Sequence, residues 1–356
     1  MRLQLPLNRL AVLAATIILA SNFVFSQNHA PKLTPQQSGT INRLQAISPV
    51  NPQIVWASGV GGTFAVTSDG GKHWRSGVVP GAETLQFRDV EGITEKVAYL
   101  LAAGVGTDSR IYKTTDGGAH WTLQFTNQDP NGFYDCFSFW TPQRAVVMGD
   151  SVNGRFPILR TTDGQTWHDI GDNLPAAQPG EAAFAASGTC IATQGGQKAW
   201  ITTGGAAESR VIATTDGGDS WKAYSTPIIQ GTPSSGGLSI AFRNPFNGIL
   251  GGGELADPAG LSNNVARSRD GGKTWHLASG TPFGGSIFGL AYVQGRGTGT
   301  LHGVVATGPG GAAWSPDEGN NWFTLPGVDG YWAVAFASPQ AGWLVGTSGR
   351  ILKISF

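Results

Sequence analysis

The sequence predicts an all-β protein, a seven-bladed β-propeller of four-stranded antiparallel blades. A short motif occurs six times, and each repeat contains alternating apolar segments separated by tight-turn residues. The motif tryptophans are 47, 46, 54, 54 and 47 residues apart. A period of roughly fifty residues indicates stacked supersecondary units, because each unit is too small to bury its own apolar face.

Each motif copy has a hydroxyl residue, an aspartate two positions later and a closing tryptophan. Aspartate accepts backbone hydrogen bonds in such a turn, and glycine supplies positive φ. We therefore interpret the motif as structural, with its tryptophan inserted between blades. Its aspartates and tryptophans are Asp69, Trp74, Asp116, Trp121, Asp163, Trp167, Asp216, Trp221, Asp270, Trp275, Asp317 and Trp322. The third copy is one residue shorter, and the sixth has Glu318 where the others have glycine.

The last repeat shows the strand order most clearly. Residues 331–337, 343–346 and 350–355 form three successive strands separated by turn residues. In the other repeats the motif makes the next hairpin, and its tryptophan opens a fourth strand. Each unit is therefore predicted to be a four-stranded antiparallel meander.

The seventh unit, residues 330–356, ends after three strands and carries no motif. Residues 31–37 stand immediately before the first inner strand, which is expected at residues 40–47. We expect this N-terminal segment to supply the missing fourth strand and close the ring, which removes exposed sheet edges. One propeller domain is predicted over residues 27–356.

The first 26 residues predict a Sec-type signal peptide. Arg2 and Arg9 give a basic start, residues 10–20 are apolar, and cleavage is expected after Ala20 or Ser26. An uncleaved N-terminal anchor is the alternative, and no cysteine follows the apolar run to carry a lipid. The mature chain is expected to be exported, periplasmic or secreted, without a membrane span.

The composition limits the partners and cofactors. The chain has 23 basic and 23 acidic residues, so it lacks a global basic footprint for nucleic acid. Its 53 glycines, 12 tryptophans and 17 phenylalanines fit short strands joined by tight turns. The histidines are spread over different repeats, and the glycine-rich stretches do not match a phosphate-binding loop. We expect a monomer with no metal and no cofactor.

Cys136 and Cys190 occupy near-equivalent places in neighbouring repeats, 27 and 26 residues before Asp163 and Asp216. In an oxidising compartment, adjacent inner strands bring the two within bridging reach. Identical register, however, turns both side chains the same way around the ring. A disulfide and two buried thiols are both open alternatives.

A binding site is expected on the face that carries the longest loops. In a propeller, the hairpins between strands two and three share a face with the blade-to-blade connections, and the motif turns lie opposite. The extra residues fall at 169–186, 226–237 and 252–264, all on this first face around blades three to five. The candidate residues there are Tyr134, Asp135, Asp150, Arg155, Glu181, Arg210, Glu254 and Arg350. They form either salt bridges that hold the rim or a recognition surface for a carboxylate-bearing or peptide ligand.

The motif resembles the Asp-box, or BNR, repeats of bacterial neuraminidases and sortilin-type domains. Over residues 36–356 the chain resembles most the photosystem II stability/assembly factor family, in a bacterial branch without assigned chemistry. The stretches that carry this likeness are residues 36–39, 56–59, 61–63, 132–140, 154–160, 179–190 and 346–353. The resemblance implies an exported, noncatalytic propeller that binds newly made membrane proteins. A basic patch is implicated in the photosynthetic members, whereas this chain is near neutral, so no photosystem partner is implied.

Three functions follow as alternatives. The first is a noncatalytic binding or scaffold protein that docks a protein partner through the long-loop face. The second is a sialidase-like glycosidase, which needs three arginines, a tyrosine nucleophile assisted by glutamate, and an acid. The residues available for it are Tyr134, Glu181, Arg155, Arg210 and Arg267, but the Arg-Ile-Pro sequence of sialidases is absent. The third is a cell-surface lectin that binds glycan through exposed aromatic residues such as Phe133, Trp140 and Phe283, although most of these aromatics are expected in the core.

Overall fold

The computed structural model describes residues 30–261, 263–294 and 302–356, and the signal peptide predicted at residues 1–26 lies outside them. Seven four-stranded antiparallel sheets follow one another along the chain as blades. Each inner strand contacts the inner strands of both neighbouring blades, so the sheets close into a ring. The predicted seven-bladed β-propeller is confirmed.

The first three blades are consecutive meanders. They consist of β2 (Leu44–Pro49), β3 (Val55–Gly59), β4 (Thr63–Thr67) and β5 (Arg75–Val78); β6 (Phe87–Gly92), β7 (Ala98–Ala102), β8 (Arg110–Thr114) and β9 (Thr122–Thr126); and β10 (Tyr134–Thr141), β11 (Arg144–Gly149), β12 (Ile158–Thr161) and β13 (His168–Asp169). In each of these blades the strand nearest the propeller axis comes first.

Blades 4 to 6 repeat this order. They consist of β14 (Ile191–Gln194), β15 (Lys198–Thr202), β16 (Arg210–Thr214) and β17 (Lys222–Ser225); β18 (Ser235–Phe242), β19 (Gly248–Glu254), β20 (Val265–Ser268) and β21 (His276–Leu277); and β22 (Gly289–Tyr292), β23 (Val304–Gly308), β24 (Gly311–Ser315) and β25 (Phe323–Thr324). Short 3-10 helices occur in the connections at Gly106–Asp108, Gly171–Asn173 and Thr347–Gly349. Within the described ranges, no helix has the length and apolarity needed to cross a membrane.

The N-terminal strand completes blade 7, as predicted. This blade contains β26 (Tyr331–Ser338), β27 (Ala341–Gly346) and β28 (Arg350–Ser355), and β1 (Lys32–Gln37) pairs antiparallel with β28. The first inner strand begins at Leu44 rather than at residue 40. Residues 38–42 instead form a turn, in which the Ser38 hydroxyl accepts from the Thr40 N–H and the Thr40 hydroxyl accepts from the Asn42 N–H.

The core is divided among the blade interfaces. The buried apolar residues of the described chain form seven clusters, one at each contact between neighbouring blades. Every motif tryptophan packs into the cluster between its own blade and the preceding one. Trp221 and Trp275 are buried there, and the other four are partly buried. Stability is therefore distributed around the ring rather than concentrated in one core.

The motif turn is held by its own side chains. In blade 2 the Thr114 hydroxyl donates to Asp116 Oδ1 (2.9 Å) and accepts from the Gly118 N–H (2.8 Å). Asp116 Oδ1 also accepts from the His120 N–H, the largest cause of a carboxyl pKa lowered to about 2. The Gly117 N–H donates to Lys96 O in the hairpin between the first two strands of the same blade (2.8 Å). The turn therefore fastens two hairpins together.

The two irregular motif copies keep this arrangement by different means. In the shorter third copy, Asp163 Oδ1 accepts from the N–H groups two and three residues later, Gln165 and Thr166, whereas in blade 2 the donor His120 lies four residues after Asp116. In the sixth copy, Glu318 adopts a φ of 58°, the left-handed conformation that glycine supplies in the other copies. Its carboxylate accepts from Arg243 Nε (2.5 Å) and from the Tyr292 hydroxyl (3.1 Å).

Cys136 and Cys190 form a disulfide, with Cα atoms 6.2 Å apart. Cys136 lies within β10, whereas Cys190 lies one residue before β14 and outside its regular strand geometry. Strand alternation therefore does not direct the Cys190 side chain, and it packs in the cluster between blades 3 and 4 beside Cys136. The sequence left open a disulfide or two buried thiols, and the structure contains the disulfide.

Candidate functional site

The two faces of the propeller differ in the length of their loops. We call loop face the end that carries the hairpins between second and third strands and the connections between blades, and motif face the opposite end. Strand order places all three long insertions on the loop face: residues 170–190 between blades 3 and 4, 226–234 between blades 4 and 5, and 255–264 within blade 5. The loop face therefore carries the long insertions that the sequence predicts for it.

A buried ion pair anchors the longest insertion. Glu181 accepts hydrogen bonds from Nε (2.8 Å) and Nη2 of Arg210, the first residue of β16. The Thr203 hydroxyl (2.6 Å) and the Gln178 N–H (2.8 Å) also donate to this carboxylate. Arg210 Nη2 reaches the insertion a second time, at Ala176 O (3.1 Å). Because the Glu181 side chain is fully buried, these donors replace its water shell and fix the loop on blade 4.

A pair of carboxyl groups holds the next part of the same insertion. Asp135 is buried beside Asp150, and burial, followed by the neighbouring Asp150, raises the pKa of Asp135 well above its usual range. Burial also raises the pKa of Asp150, to about 6. The Ala183 N–H donates to Asp150 Oδ1 (3.1 Å), and the Ala185 N–H donates to Asp135. Two carboxyl groups this close share a proton and do not both ionise readily.

The insertion then crosses the propeller axis. Arg88 of blade 2 donates from Nη1 to Ala185 O (3.1 Å), and the Ser187 hydroxyl donates to Phe288 O beside blade 6 (2.5 Å). The Thr189 hydroxyl meets the Ser239 hydroxyl of blade 5 (2.8 Å). We call residues 185–189 the plug. Below it, a cavity of about 520 Å³ follows the axis toward the motif face and is lined by residues of all seven inner strands.

Tyr134 and Arg155 meet at a groove between blades 2 and 3. The groove has a volume of about 610 Å³ and is lined by Phe125, Leu159 and Trp167 together with polar groups. Arg155 binds both oxygens of Asp169 (2.9 and 3.0 Å) and donates from Nε to Asp172 (2.7 Å). These carboxylates engage three of its nitrogens, so this guanidinium is not free to clamp a ligand carboxylate.

The last two candidates lie apart from these groups. Glu254, at the end of β19, accepts from the hydroxyls of Thr232 and Ser234, and these hydrogen bonds lower its pKa. Arg350 lies in blade 7, where it donates to Asp329 O (2.7 Å) and covers the ring of Tyr331. The eight candidate residues therefore do not converge. Four support the insertion of residues 170–190, two meet at the groove, and two stabilise separate loops.

Arg155, Arg210, Glu181 and Tyr134 do not assemble the constellation that a sialidase needs. Arg155 and Arg210 are held by different carboxylates, and Glu181 belongs to Arg210 rather than to Tyr134. A tyrosine–glutamate contact does occur between Tyr292 and Glu318, but burial and then that carboxylate raise the tyrosine pKa well above its usual value. A phenol that keeps its proton is a poor nucleophile.

The three aromatic residues that could bind glycan differ in burial. Phe283 is buried in the cluster between blades 5 and 6. Trp140 packs against the cluster between blades 3 and 4 and donates from Nε1 to Lys198 O (2.6 Å). Phe133 is half-buried. The blade interfaces therefore bury Phe283 fully and Trp140 in part, as expected for most of these aromatic residues.

Sequence reasoning missed Arg88, Asp169 and the plug. The positions of Arg88 and Asp169 within their repeats could have identified them from the sequence. Arg88 and Asp135 are each the second residue of an inner strand in neighbouring blades, and Asp169 follows its motif tryptophan by two residues. Nothing in the repeat pattern marks the plug, because its path depends on contacts with blades 2, 3, 5 and 6. Among the residues that the structure describes, no group of three or more His, Cys, Asp or Glu side chains could hold a metal ion.

Comparisons with known proteins agree on the fold. The chain is similar to the structure described as YCF48 bound to D1 peptide, with 17% identity, a TM-score of 0.62, and coverage of 92% of this chain and 95% of that one. YCF48 from Cyanidioschyzon merolae is 16% identical with a TM-score of 0.63, and the match covers 91% of this chain and 98% of that one. U3-55K is 11% identical with a TM-score of 0.61, and the match covers 92% of this chain and 100% of that one. No protein-family model matches the sequence, and no curated protein matches it. At these identities the likeness shows the fold, a propeller of the kind found in YCF48 and in WD40-type proteins.

Proposed function

We propose that this protein is an exported, noncatalytic binding protein that docks a protein partner through the loop face around blades 3 to 5. The observation that carries the proposal is the rigid support of the longest insertion by the buried Glu181–Arg210 pair and the Asp135–Asp150 pair. A loop already fixed before binding loses little conformational entropy when a partner arrives. The similarity in fold to a YCF48 structure that contains a bound peptide supports protein binding over other uses of a propeller.

The loop face also offers apolar groups to a partner. Leu255 and Leu261 project from the insertion of blade 5, where they are 40% and 55% exposed. Two further exposed apolar residues, Ile41 and Val105, lie on the same face in blades 1 and 2. Single exposed apolar residues are common on monomers, but Leu255 and Leu261 lie together on one insertion within the proposed docking surface, which suits a moderate protein interface. Because the plug crosses the axis, the partner docks on the rim instead of threading through the channel from this side.

The test is a crosslinked capture from the envelope fraction of the source cells, using the mature chain as bait. We expect one defined protein to be captured by the wild type and reduced at least about fivefold by the double variant Leu255→Ser, Leu261→Ser, since losing about 1 kcal/mol of apolar burial weakens binding about fivefold. The matched control is Phe246→Ser, which removes a residue that is 61% exposed on the motif face of the same blade. Equal capture by all three proteins, or no specific protein in any of them, would reject docking through this face.

A further inference from the structure

We propose that the groove between blades 2 and 3 is a peptide subsite that takes an apolar side chain flanked by lysine or arginine. The groove opens on the loop face, next to the insertions through which docking is proposed. The inference rests on the proposed protein-binding function and specifies the chemistry of the segment that the partner presents. It is carried by three features of the groove: its walls, an unpartnered hydroxyl group and an excess of carboxylates.

The walls fit an apolar side chain. Phe125 of β9 faces Tyr134 of β10 edge-on, with ring centroids 5.5 Å apart and planes at 89°. Leu159 and Trp167, from the outer strands of blade 3, complete the apolar lining, and Val152 and Pro157 extend it toward the loop face. A volume of about 610 Å³ accommodates one large side chain with neighbouring backbone.

The groove contains a hydroxyl group that has no partner within the described chain and is therefore available to a ligand. Tyr134 lines the groove with only 4% of its surface exposed, and its hydroxyl makes no hydrogen bond to any residue that the structure describes. Its backbone N–H is bound to the Ser109 hydroxyl (2.9 Å), so the residue is firmly placed. Burial, and then Asp169, raise the pKa of the phenol, which therefore stays protonated and able to donate. A peptide carbonyl is the acceptor that such a donor fits.

The charge of the groove selects a cation. Asp129 and Asp169 line it, and Asp172 stands beside Asp169 on Arg155. The carboxylates of Asp129, Asp169 and Asp172 outnumber the Arg155 guanidinium by three to one, so the groove has a formal net charge of two negative units. Asp129 forms no ion pair with a cationic side chain in the described chain. Lysine or arginine next to the inserted residue supplies the opposite charge. Sialosides and acidic peptides are disfavoured, because the one guanidinium present is already bound by Asp169 and Asp172.

The probe is the fluorescent peptide acetyl-Gly-Leu-Phe-Lys-Lys-Gly-amide, titrated into the full mature protein at low salt. A second peptide with both lysines replaced by glutamate tests the charge preference. Tyr134→Phe removes only the hydroxyl and keeps the ring in its packing. Its matched control is Tyr331→Phe, because Tyr331 starts the inner strand of blade 7 as Tyr134 starts that of blade 3, but Arg350 covers its ring. Asp129→Asn removes one groove charge, with Glu95→Gln as an exposed carboxylate control on the motif face.

We expect the lysine peptide to bind the wild type and both controls alike, and the glutamate peptide to bind at least about tenfold more weakly. Tyr134→Phe should weaken binding about fivefold, as the loss of one hydrogen bond implies. Asp129→Asn should weaken it about threefold, with a smaller difference at about 0.5 M NaCl because salt screens exposed charges. Unchanged melting temperatures show that both variants fold.

Other outcomes overturn the subsite. Equal binding to the wild type, Tyr134→Phe and Asp129→Asn places the peptide elsewhere, and absence of binding removes the subsite. Binding of 3′-sialyllactose or maltoheptaose that is lost in Tyr134→Phe assigns the groove to glycans. All of these results leave the docking function standing if the Leu255→Ser, Leu261→Ser variant still loses its captured protein. Loss of docking alone, with peptide binding intact, rejects the proposed partner surface instead.

Discussion

The indole Nε1–H of Trp74 donates a 3.0 Å hydrogen bond to Oε1 of Gln36, joining the motif tryptophan of blade 1 to the N-terminal strand of blade 7. The amide of Gln36 in turn donates to Gly70 O in the same motif turn (3.3 Å), and Lys353 of β28 donates to that carbonyl as well (3.0 Å). The seam at which the chain closes on itself is therefore held by side chains in addition to the β1–β28 ladder.

Deletion of residues 30–39 should destabilise the whole ring. It removes a paired strand, exposes the edge of β28 and breaks the contact between Trp74 and Gln36. We expect the melting temperature to fall by more than about 10 °C, and self-association to increase, in calorimetry and size-exclusion chromatography. Deletion of residues 1–26 alone is the control and should leave both properties unchanged. A shortened chain as stable and monomeric as its control would contradict the closure.

Trp221→Ala should cost roughly 3–5 kcal/mol in the free energy of unfolding, because it opens a large cavity between blades 3 and 4. Trp221 is 6% exposed, whereas Trp322, at the same motif position in blade 6, is only partly buried. Trp322→Ala should therefore cost less, about 1–2 kcal/mol. Urea unfolding monitored by far-ultraviolet circular dichroism measures both. Equal costs would mean that depth in the interface does not set the contribution of the motif tryptophan.

Glu181→Ala should destabilise the protein by about 3–5 kcal/mol, because it leaves the Arg210 guanidinium buried without its counter-charge. The comparison variant is Arg155→Ala, which breaks an ion pair on the open rim and should cost less than about 1 kcal/mol. The double variant Glu181→Leu, Arg210→Met should recover part of the loss, since no charge is then left unpaired. Urea unfolding measures these free energies. If the loss in the double variant equalled the sum of the losses from the two single substitutions, the two side chains would not act as a pair.

Asp150→Asn should change the pH dependence of stability. The folded pKa of about 6 lies above the ordinary value near 3.8, so the native state binds the extra proton between these values. Stability of the wild type should therefore fall as pH rises from about 4 to 6, and the variant should decline less steeply, because only the buried Asp135 still contributes. At pH 7.5 we expect Asp150→Asn to be more stable by about 1–3 kcal/mol. Melting temperatures at pH 4.5 and 7.5, with Glu95→Gln as control, measure the difference; parallel profiles would exclude a shared proton.

Cys136→Ser combined with Cys190→Ser should loosen the plug as well as destabilise the fold. The bond closes a loop with a sequence separation of 54, for which chain entropy predicts about 4 kcal/mol of stabilisation. Cys190 directly follows the plug, so its release should also raise amide hydrogen exchange at residues 185–189. Exchange at β26, in blade 7, serves as the internal reference. A uniform rise around the ring would mean that the disulfide supports the fold without holding the plug specifically.

The repeat alone was enough to predict the blades. Each motif contains the turn aspartate, the glycine and the interface tryptophan within eight residues, as in 67–74, so its geometry follows from local chemistry. Even the ring closure could be predicted, because a three-stranded last unit leaves one strand position empty. The expected start of the first inner strand was wrong by four residues, since hydroxyl groups at Ser38 and Thr40 made a turn where β propensity suggested a strand.

The site could be predicted only as a face and a set of residues. Strand order determines which loops share a face, so the long insertions were placed correctly from their position in the repeat. The contacts of Glu181 with Arg210 and of Arg155 with Asp169 were not predicted, because several carboxylates compete for each arginine on that face. Local turn chemistry, repeated at a regular period, is enough to specify the blades and their closure. The path of the plug and the unpartnered hydroxyl of Tyr134 depend on contacts between blades, and no local pattern encodes those contacts.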